Sequence, residues 1–183
     1  MKLNLGSGSN PKPDYCNVDK YGNPDVKHDL DQFPWPWDDS TIDEIRLNHV
    51  LEHLGETAKI YFGIIKEIYR VCKPDAKIEI IVPHPRHDDF LNDPTHVRAI
   101  TPNSLTLFSK KVNRQYIEMS MANSTLGIYL DVDFEIERTR FCLEEPWKSQ
   151  FDNGDISVDE LNLAVKKYNN VIKETEIILG VIK

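Results

Sequence analysis

"IDEIRLNHVLEHLGETAKIYFGIIKEIYRVCKPDAKIEIIVP", residues 42–83, holds two hydrophobic periods in one run. Residues 42–47 alternate, as a half-buried strand does. Over 57–72 the apolar side chains fall at Ile60, Ile64, Ile65, Ile68 and Val71, a spacing that predicts an amphipathic helix. Lys73-Pro74-Asp75 stops it, because proline cannot continue the ladder and pushes the residue before it out of the helical region. Residues 77–82, KIEIIV, read as a strand. Strand, helix and strand in succession predict an α/β fold with a largely parallel sheet.

Working outward, residues 2–5 (KLNL), 16–19 (CNVD) and 26–30 (VKHDL) predict three further short strands. Toward the carboxyl end, Pro83 opens a polar, irregular stretch, "HPRHDDFLNDPTHVRAITPNS", too long to be idle in a compact domain. Thr101-Pro102 marks a helix start, and 126–141 reads as one long strand by alternation. Within it Asp131, Asp133, Glu135 and Glu137 predict a solvated face with no chemistry. Ser157-x-x-Glu160 is a capping box, predicting a helix over 157–172, and 175–182 is the final strand. The expected architecture is a doubly wound, mostly parallel sheet with helices on both faces. Its last two strands form an antiparallel edge. Residues 1–183 form one domain, with 84–125 as a substrate-facing insertion.

The 183 residues suit one core, and 40% hydrophobic with 28% charged residues is ordinary globular composition. A net charge of −8 without a basic run disfavours extended nucleic acid as a partner. Three widely spaced cysteines, Cys16, Cys72 and Cys142, predict reduced thiols. With no apolar run near the ~20 residues of a membrane span, the expectation is a soluble cytoplasmic protein.

The first strand runs into "GSGSN", residues 6–10, a turn where missing Cβ atoms admit a ligand close to the backbone. It lacks the lysine and spacing of a phosphate-cradling loop, and the third glycine of a dinucleotide fingerprint. Asp19 ends the second strand, where an acid accepts hydrogen bonds from ribose hydroxyls; Asp29 is placed to accept from an adenine amino group. Two carboxylates and a glycine turn describe a nucleoside carrying positive charge rather than phosphate. S-adenosylmethionine matches.

The ordered segments "LNLGSG", "NVD", "HDL", "FPWPWDDSTIDEIRLNHVLEHL" and "EIYRVCKPDAKIEIIVP" resemble the small class I S-adenosylmethionine-dependent methyltransferases of the type 11 kind, over residues 3–83. The resemblance implies a Rossmann-like sheet and a cofactor pocket of Asn4, Gly6, Ser7, Gly8, Asp19, Lys20, Asp29, Leu30, Asn48 and His49. In it the glycines line the amino-acid part, Asp19 binds ribose, Asp29 and Leu30 flank adenine, and Asn48 and His49 stand beside the methyl group. This chain departs from the pattern in two places. KPDA replaces a KPGG turn, and only ten residues separate Gly8 from Asp19, so the first connecting helix must be very short or lost.

"HVLEH" puts His49, Glu52 and His53 at i, i+3 and i+4, one face if the segment is helical. As HxxEH it matches an inverted zinc-protease signature, but in the wrong fold context. Some metal-dependent O-methyltransferases resemble the stretch more closely, with His96 able to complete a ligand set. The favoured reading has no metal: the imidazoles pack under the cofactor and hydrogen-bond backbone. "HPRHDDFLNDPTHVR" resembles the substrate rim of small methyltransferases, with His87, Asp93 and Arg98 as substrate-binding residues. A histidine there can take a proton near neutral pH, and Arg98 can orient an anion. The bland alternative is a solvated loop held by Asp93-Pro94 turn chemistry. "FPWPW", residues 33–37, reads as an apolar plug over the sheet. The expected activity is methyl transfer to an oxygen or nitrogen of a small molecule or glycan, with His49, His53 and His96 on the acceptor side. The competing reading is a non-catalytic cofactor-binding or interaction protein on the same fold.

Overall fold

A computed structural model describes residues 1–183. Seven strands form one sheet: β1 Lys2–Leu5, β2 Cys16–Asp19, β3 Val26–Lys27, β4 Ile42–Asn48, β5 Cys72–Pro83, β6 Phe134–Leu143 and β7 Ile172–Val181. Their order is β3-β2-β1-β4-β5-β7-β6, parallel from β3 to β5 and antiparallel at β5·β7 and β7·β6. Strand order reverses between β1 and β4. In such sheets ligands bind in the crevice outside the carboxyl ends at that switch point. Helices pack around the sheet: α1 Ala58–Val71, α2 Asp88–Leu91, α3 Pro102–Thr106, α4 Lys110–Glu118, α5 Leu126–Leu130, α6 Trp147–Asp152 and α7 Val158–Lys167. None is long and apolar enough to cross a membrane.

α1 starts where Thr57 accepts the Ile60 N–H at 3.3 Å, and it buries Tyr61, Ile64, Ile65, Ile68 and Val71. It ends at Val71 as expected, yet passes straight into β5. Lys73-Pro74-Asp75 belongs to that strand as an irregularity, with Asp75 at φ 61°. The pairing jumps from Ile42↔Cys72 to Glu44↔Lys77 around it.

All helices follow β4. The first crossover has none, and a polar hub holds it instead. Buried Asn4 donates to Asn17 Oδ1 at 2.9 Å, and the same oxygen accepts the Lys12 N–H at 2.7 Å. Asn17 Nδ2 in turn donates to Tyr15 O at 3.2 Å and Asp25 Oδ2 at 2.9 Å. The aromatic plug between β3 and β4 buries Trp35 and Trp37, each worth roughly 2–3 kcal/mol by area. Arg70 clamps it, donating to Trp37 O at 2.8 Å and Trp35 O at 3.2 Å, while Glu67 accepts the Trp35 N–H at 2.6 Å.

The single strand expected over 126–141 divides. Residues 126–130 form α5, Asp131 turns left-handed at φ 55°, and β6 begins at Phe134. Gly127 and Leu130 are the buried residues of that helix, a spacing of three that period-2 alternation masks. Close packing fixes it: a Cβ on Gly127 would lie 2.9 Å from the Phe108 backbone. The expected strand 26–30 shrinks to Val26–Lys27, and the helix 157–172 ends at Lys167 so that β7 can start at Ile172.

Candidate functional site

β1 delivers the glycine turn to the crevice. Gly6 is left-handed at φ 65° and seated against Val50, where a Cβ would lie 2.5 Å from the nearer γ-methyl. The Ser7 N–H bonds Val18 O at 3.0 Å, so the turn is pinned to β2. Asp19, ending β2, accepts the Gly8 N–H at 2.9 Å on one oxygen and the Tyr21 N–H at 2.8 Å on the other. Each oxygen keeps a lone pair for a ribose hydroxyl. Asp29 turns the chain after β3 by accepting the Asp31 N–H at 3.1 Å, and Asp31 accepts the Gly55 N–H at 3.2 Å.

β4 delivers Asn48 and His49. His49 is left-handed at φ 54°, with its N–H bonded to Ile81 O at 2.8 Å. "HVLEH" is therefore no continuous helix: only Leu51–His53 form a 3-10 turn, and His49 lies outside it. The His49 ring sits between two acids, Nδ1 at 3.5 Å from Glu52 and Nε2 at 3.1 Å from Glu174. The Glu52 carboxylate raises its pKa above the ordinary imidazole value and Glu174 adds to this, against burial, which lowers it.

Three cavities adjoin at His49. The first, about 230 Å³, is walled by Gly6, Asp19, Lys20, Asp29, Leu30, Val50 and Leu54, with His49 and His53 at its end. The second, about 570 Å³ and polar, is lined by Asn4, Gly6, Ser7, Gly8, Lys12, Arg46, Asn48 and His49. The third, about 670 Å³, is lined by His49, His53, Pro83, Asp89, Asn92, Asp93, His96 and Glu174. The ten residues expected around a cofactor thus line the first two, and His49, His53, His96 and Asp93 meet at the third. Asn4 also carries structure, its amide being spent on Asn17 and on Asn10 O at 3.3 Å.

His87 and Arg98 lie apart from these cavities and serve the scaffold. His87 is buried, accepts the Asp89 N–H at 3.0 Å to cap α2, and stands 3.3 Å from Glu144. Arg98 donates to Gly55 O at 3.0 Å and stacks 4.2 Å above the Tyr61 ring. Of the stretch 84–125, Pro94 and its near neighbours reach the third cavity, while α4 packs on α5. Sequence reasoning missed Tyr21, His28 and Glu174. His28 directly follows β3 and lines the first cavity. Glu174 comes from β7 through the pairing Pro83↔Glu174, and no local pattern announces it.

No protein-family model matches the sequence, and comparison with curated proteins gives no match. Solved structures do match. An S-adenosylmethionine-dependent methyltransferase from Archaeoglobus fulgidus superposes with TM-score 0.62 at 20% identity, over 98% of this chain and 85% of that one. The YcgJ protein of Bacillus subtilis gives TM-score 0.54 at 13% identity, over 100% and 91%. An S-adenosylmethionine-dependent methyltransferase from Methanosarcina mazei gives 0.53 at 14% identity, over 99% and 92%. The fold is therefore the Rossmann-like fold of S-adenosylmethionine-dependent methyltransferases, as the sequence resemblance implies.

Proposed function

We propose that this chain transfers a methyl group from S-adenosylmethionine to an oxygen or nitrogen of a small molecule or glycan. The observation that carries the reading is the meeting of three cavities at His49, two shaped by the glycine turn and Asp19, one by imidazoles and acids.

The donor set suits that cofactor. Asp19 and Asp29 offer acceptors to ribose hydroxyls and an adenine amino group, with Leu30, Val50 and Leu54 as apolar wall. Lys12 and Arg46 in the polar cavity suit an α-carboxylate. The cofactor supplies an activated methyl on a sulfonium with a built-in leaving group. The protein's part is alignment and exclusion of water. Gly6 and Val50 form the floor, Asn48 and His49 the gap between the cofactor and acceptor cavities, and His49, His53 and His96 stand ready to take the acceptor's proton. The net charge of −8 supports a small or uncharged-polymer acceptor over a nucleic acid.

Calorimetry with S-adenosylmethionine and S-adenosylhomocysteine tests the first half; both bind the wild type, and Asp19→Ala weakens both. If neither binds, the reading fails. Mass spectrometry of acceptor mixtures tests the second half. Binding with no methylated product from any hydroxyl or amine acceptor supports the non-catalytic alternative.

A further inference from the structure

The Glu52 carboxylate is fully buried, and neither oxygen has a hydrogen-bond partner. His49 Nδ1 stands 3.5 Å away, an ion-pair distance that offsets part of the burial without satisfying either oxygen. Proteins rarely leave a buried carboxylate without a hydrogen bond, because its desolvation is then only partly compensated. Two imidazoles stand beside it. Glu52, His53 and His96 can each offer one ligand atom within 4.8 Å of the others, the span of a shared coordination sphere. The 3-10 turn and the loop bearing His96 are held in this arrangement by backbone: Glu52 O accepts the N–H groups of Val97 at 2.9 Å and Arg98 at 3.2 Å.

The surrounding hydrogen bonds fix both tautomers. Phe90 O can only accept, so His96 Nδ1, 2.9 Å away, carries the proton and Nε2 keeps its lone pair. The Thr95 hydroxyl spends its proton on Asp93 Oδ1 at 2.6 Å, so its oxygen accepts from His53 Nδ1 at 2.9 Å. His53 Nε2 is thereby free as well. Carboxylate–hydroxyl–imidazole and carbonyl–imidazole relays of this kind orient metal ligands and raise their basicity. Asp93 Oδ2 lies 3.8 Å from His96 Nε2 and adds negative charge.

We propose that Glu52, His53 and His96 bind a divalent first-row transition-metal ion. Two imidazoles and one carboxylate suit zinc, iron, cobalt or nickel better than the all-oxygen preferences of magnesium or calcium. Three protein ligands leave coordination positions open, and His53 and His96 both line the third cavity. On the methyl-transfer reading, on which this clause alone rests, the ion orients and acidifies an oxygen acceptor, and with His53 and His96 ligated the proton goes to His49 alone. The proposal departs from the sequence reading, which weighed Glu52 with the histidines of HVLEH and favoured no metal.

The test is titration of the full chain, stripped with chelator and freed of any affinity tag, with Co(II) and Zn(II). Calorimetry and the visible Co(II) bands serve as readouts. One equivalent is expected, with a rise in Tm on loading. Glu52→Gln and His96→Asn should each weaken binding roughly 100-fold or more, and Thr95→Val, which spares the ligands and frees His53, about 10-fold. Circular dichroism of each metal-free variant separates misfolding from ligand loss. Absence of stoichiometric binding by the wild type overturns the proposal, as does binding that both ligand variants retain, which would place the ion elsewhere. Neither result touches the methyl-transfer reading, because the titration uses no cofactor.

Discussion

Gly6→Ala isolates the contact that joins the glycine turn to the floor of the crevice. Two costs add. Alanine at φ 65° takes the left-handed penalty of an L-residue, about 1–2 kcal/mol. Its Cβ would also lie 2.5 and 2.8 Å from the two γ-methyls of Val50, which is buried, so one wall must move, at roughly 1–3 kcal/mol for overpacking. The predicted loss is therefore about 2–5 kcal/mol. Val50→Ala removes both γ-methyls and by itself costs about 2 kcal/mol, at ~0.8 per buried carbon plus a small cavity. It also leaves the new Cβ facing only Val50 Cβ at 3.2 Å, a contact that a few tenths of an ångström relieve. In that background Gly6→Ala should cost only the backbone share, about 1–2 kcal/mol. The four proteins of this cycle are compared by urea unfolding at constant m-value. A coupling energy indistinguishable from zero would refute the contact as the cause. The same displacement should weaken S-adenosylhomocysteine binding in Gly6→Ala, with part of the affinity returning in the double variant.

Arg70→Met keeps the aliphatic stem but removes the donors to Trp35 O and Trp37 O, so stability should fall by about 2–4 kcal/mol, with tryptophan emission shifting red. Unchanged emission would mean that the plug holds without its clamp. Burial pushes the Cys72 thiol up to about 12, so at pH 8 a disulfide-exchange reagent should label Cys16 and Cys142 in the native protein and Cys72 only on unfolding. Equal rates for all three thiols would contradict this. Lys73, with the Met1 amino group, holds the Asp43 carboxyl down from 3.8 to about 2. A depressed folded pKa contributes stability above the unfolded value and loses it as pH falls through the folded one. The stability difference between wild type and Asp43→Asn should therefore shrink between about pH 4 and pH 2, and a difference that stays constant there would exclude the pair.

Much of the fold is legible because its signals are local. The helix at 58–71 and the strands at 2–5, 16–19 and 42–48 declare themselves through period and caps, and the shortness of the first connection correctly implies a lost helix. What sequence cannot supply is the hub that replaces that helix, since Asn4 and Asn17 look like ordinary polar residues until their side chains meet at 2.9 Å. Alternation misleads at 126–130, where Gly127 packing against Phe108 selects a helix. At the site, the glycine turn and Asp19 are readable because the strand ends place them. His87 and Arg98 are not, because an imidazole that caps a helix and a guanidinium on an aromatic ring have the same letters as substrate ligands. Glu52 is the clearest case. Its place in HVLEH draws notice in the sequence, but its full burial without a hydrogen bond is visible only in the fold.

The β5·β7 register has a consequence for how the molecule is assembled. The nucleoside side of the crevice is closed mainly by segments within the first 55 residues. The bond between His49 and Glu174 instead spans 125 residues, and closing so long a loop has to await the seating of β7 against β5. Because side chains alternate across a strand, a slip of one residue there would present Lys173 or Thr175 to His49 in place of the acid. The fidelity of a late pairing step thus sets the sign of the charge beside the imidazole. Variants that loosen only this edge should keep the nucleoside crevice while losing the acid beside His49.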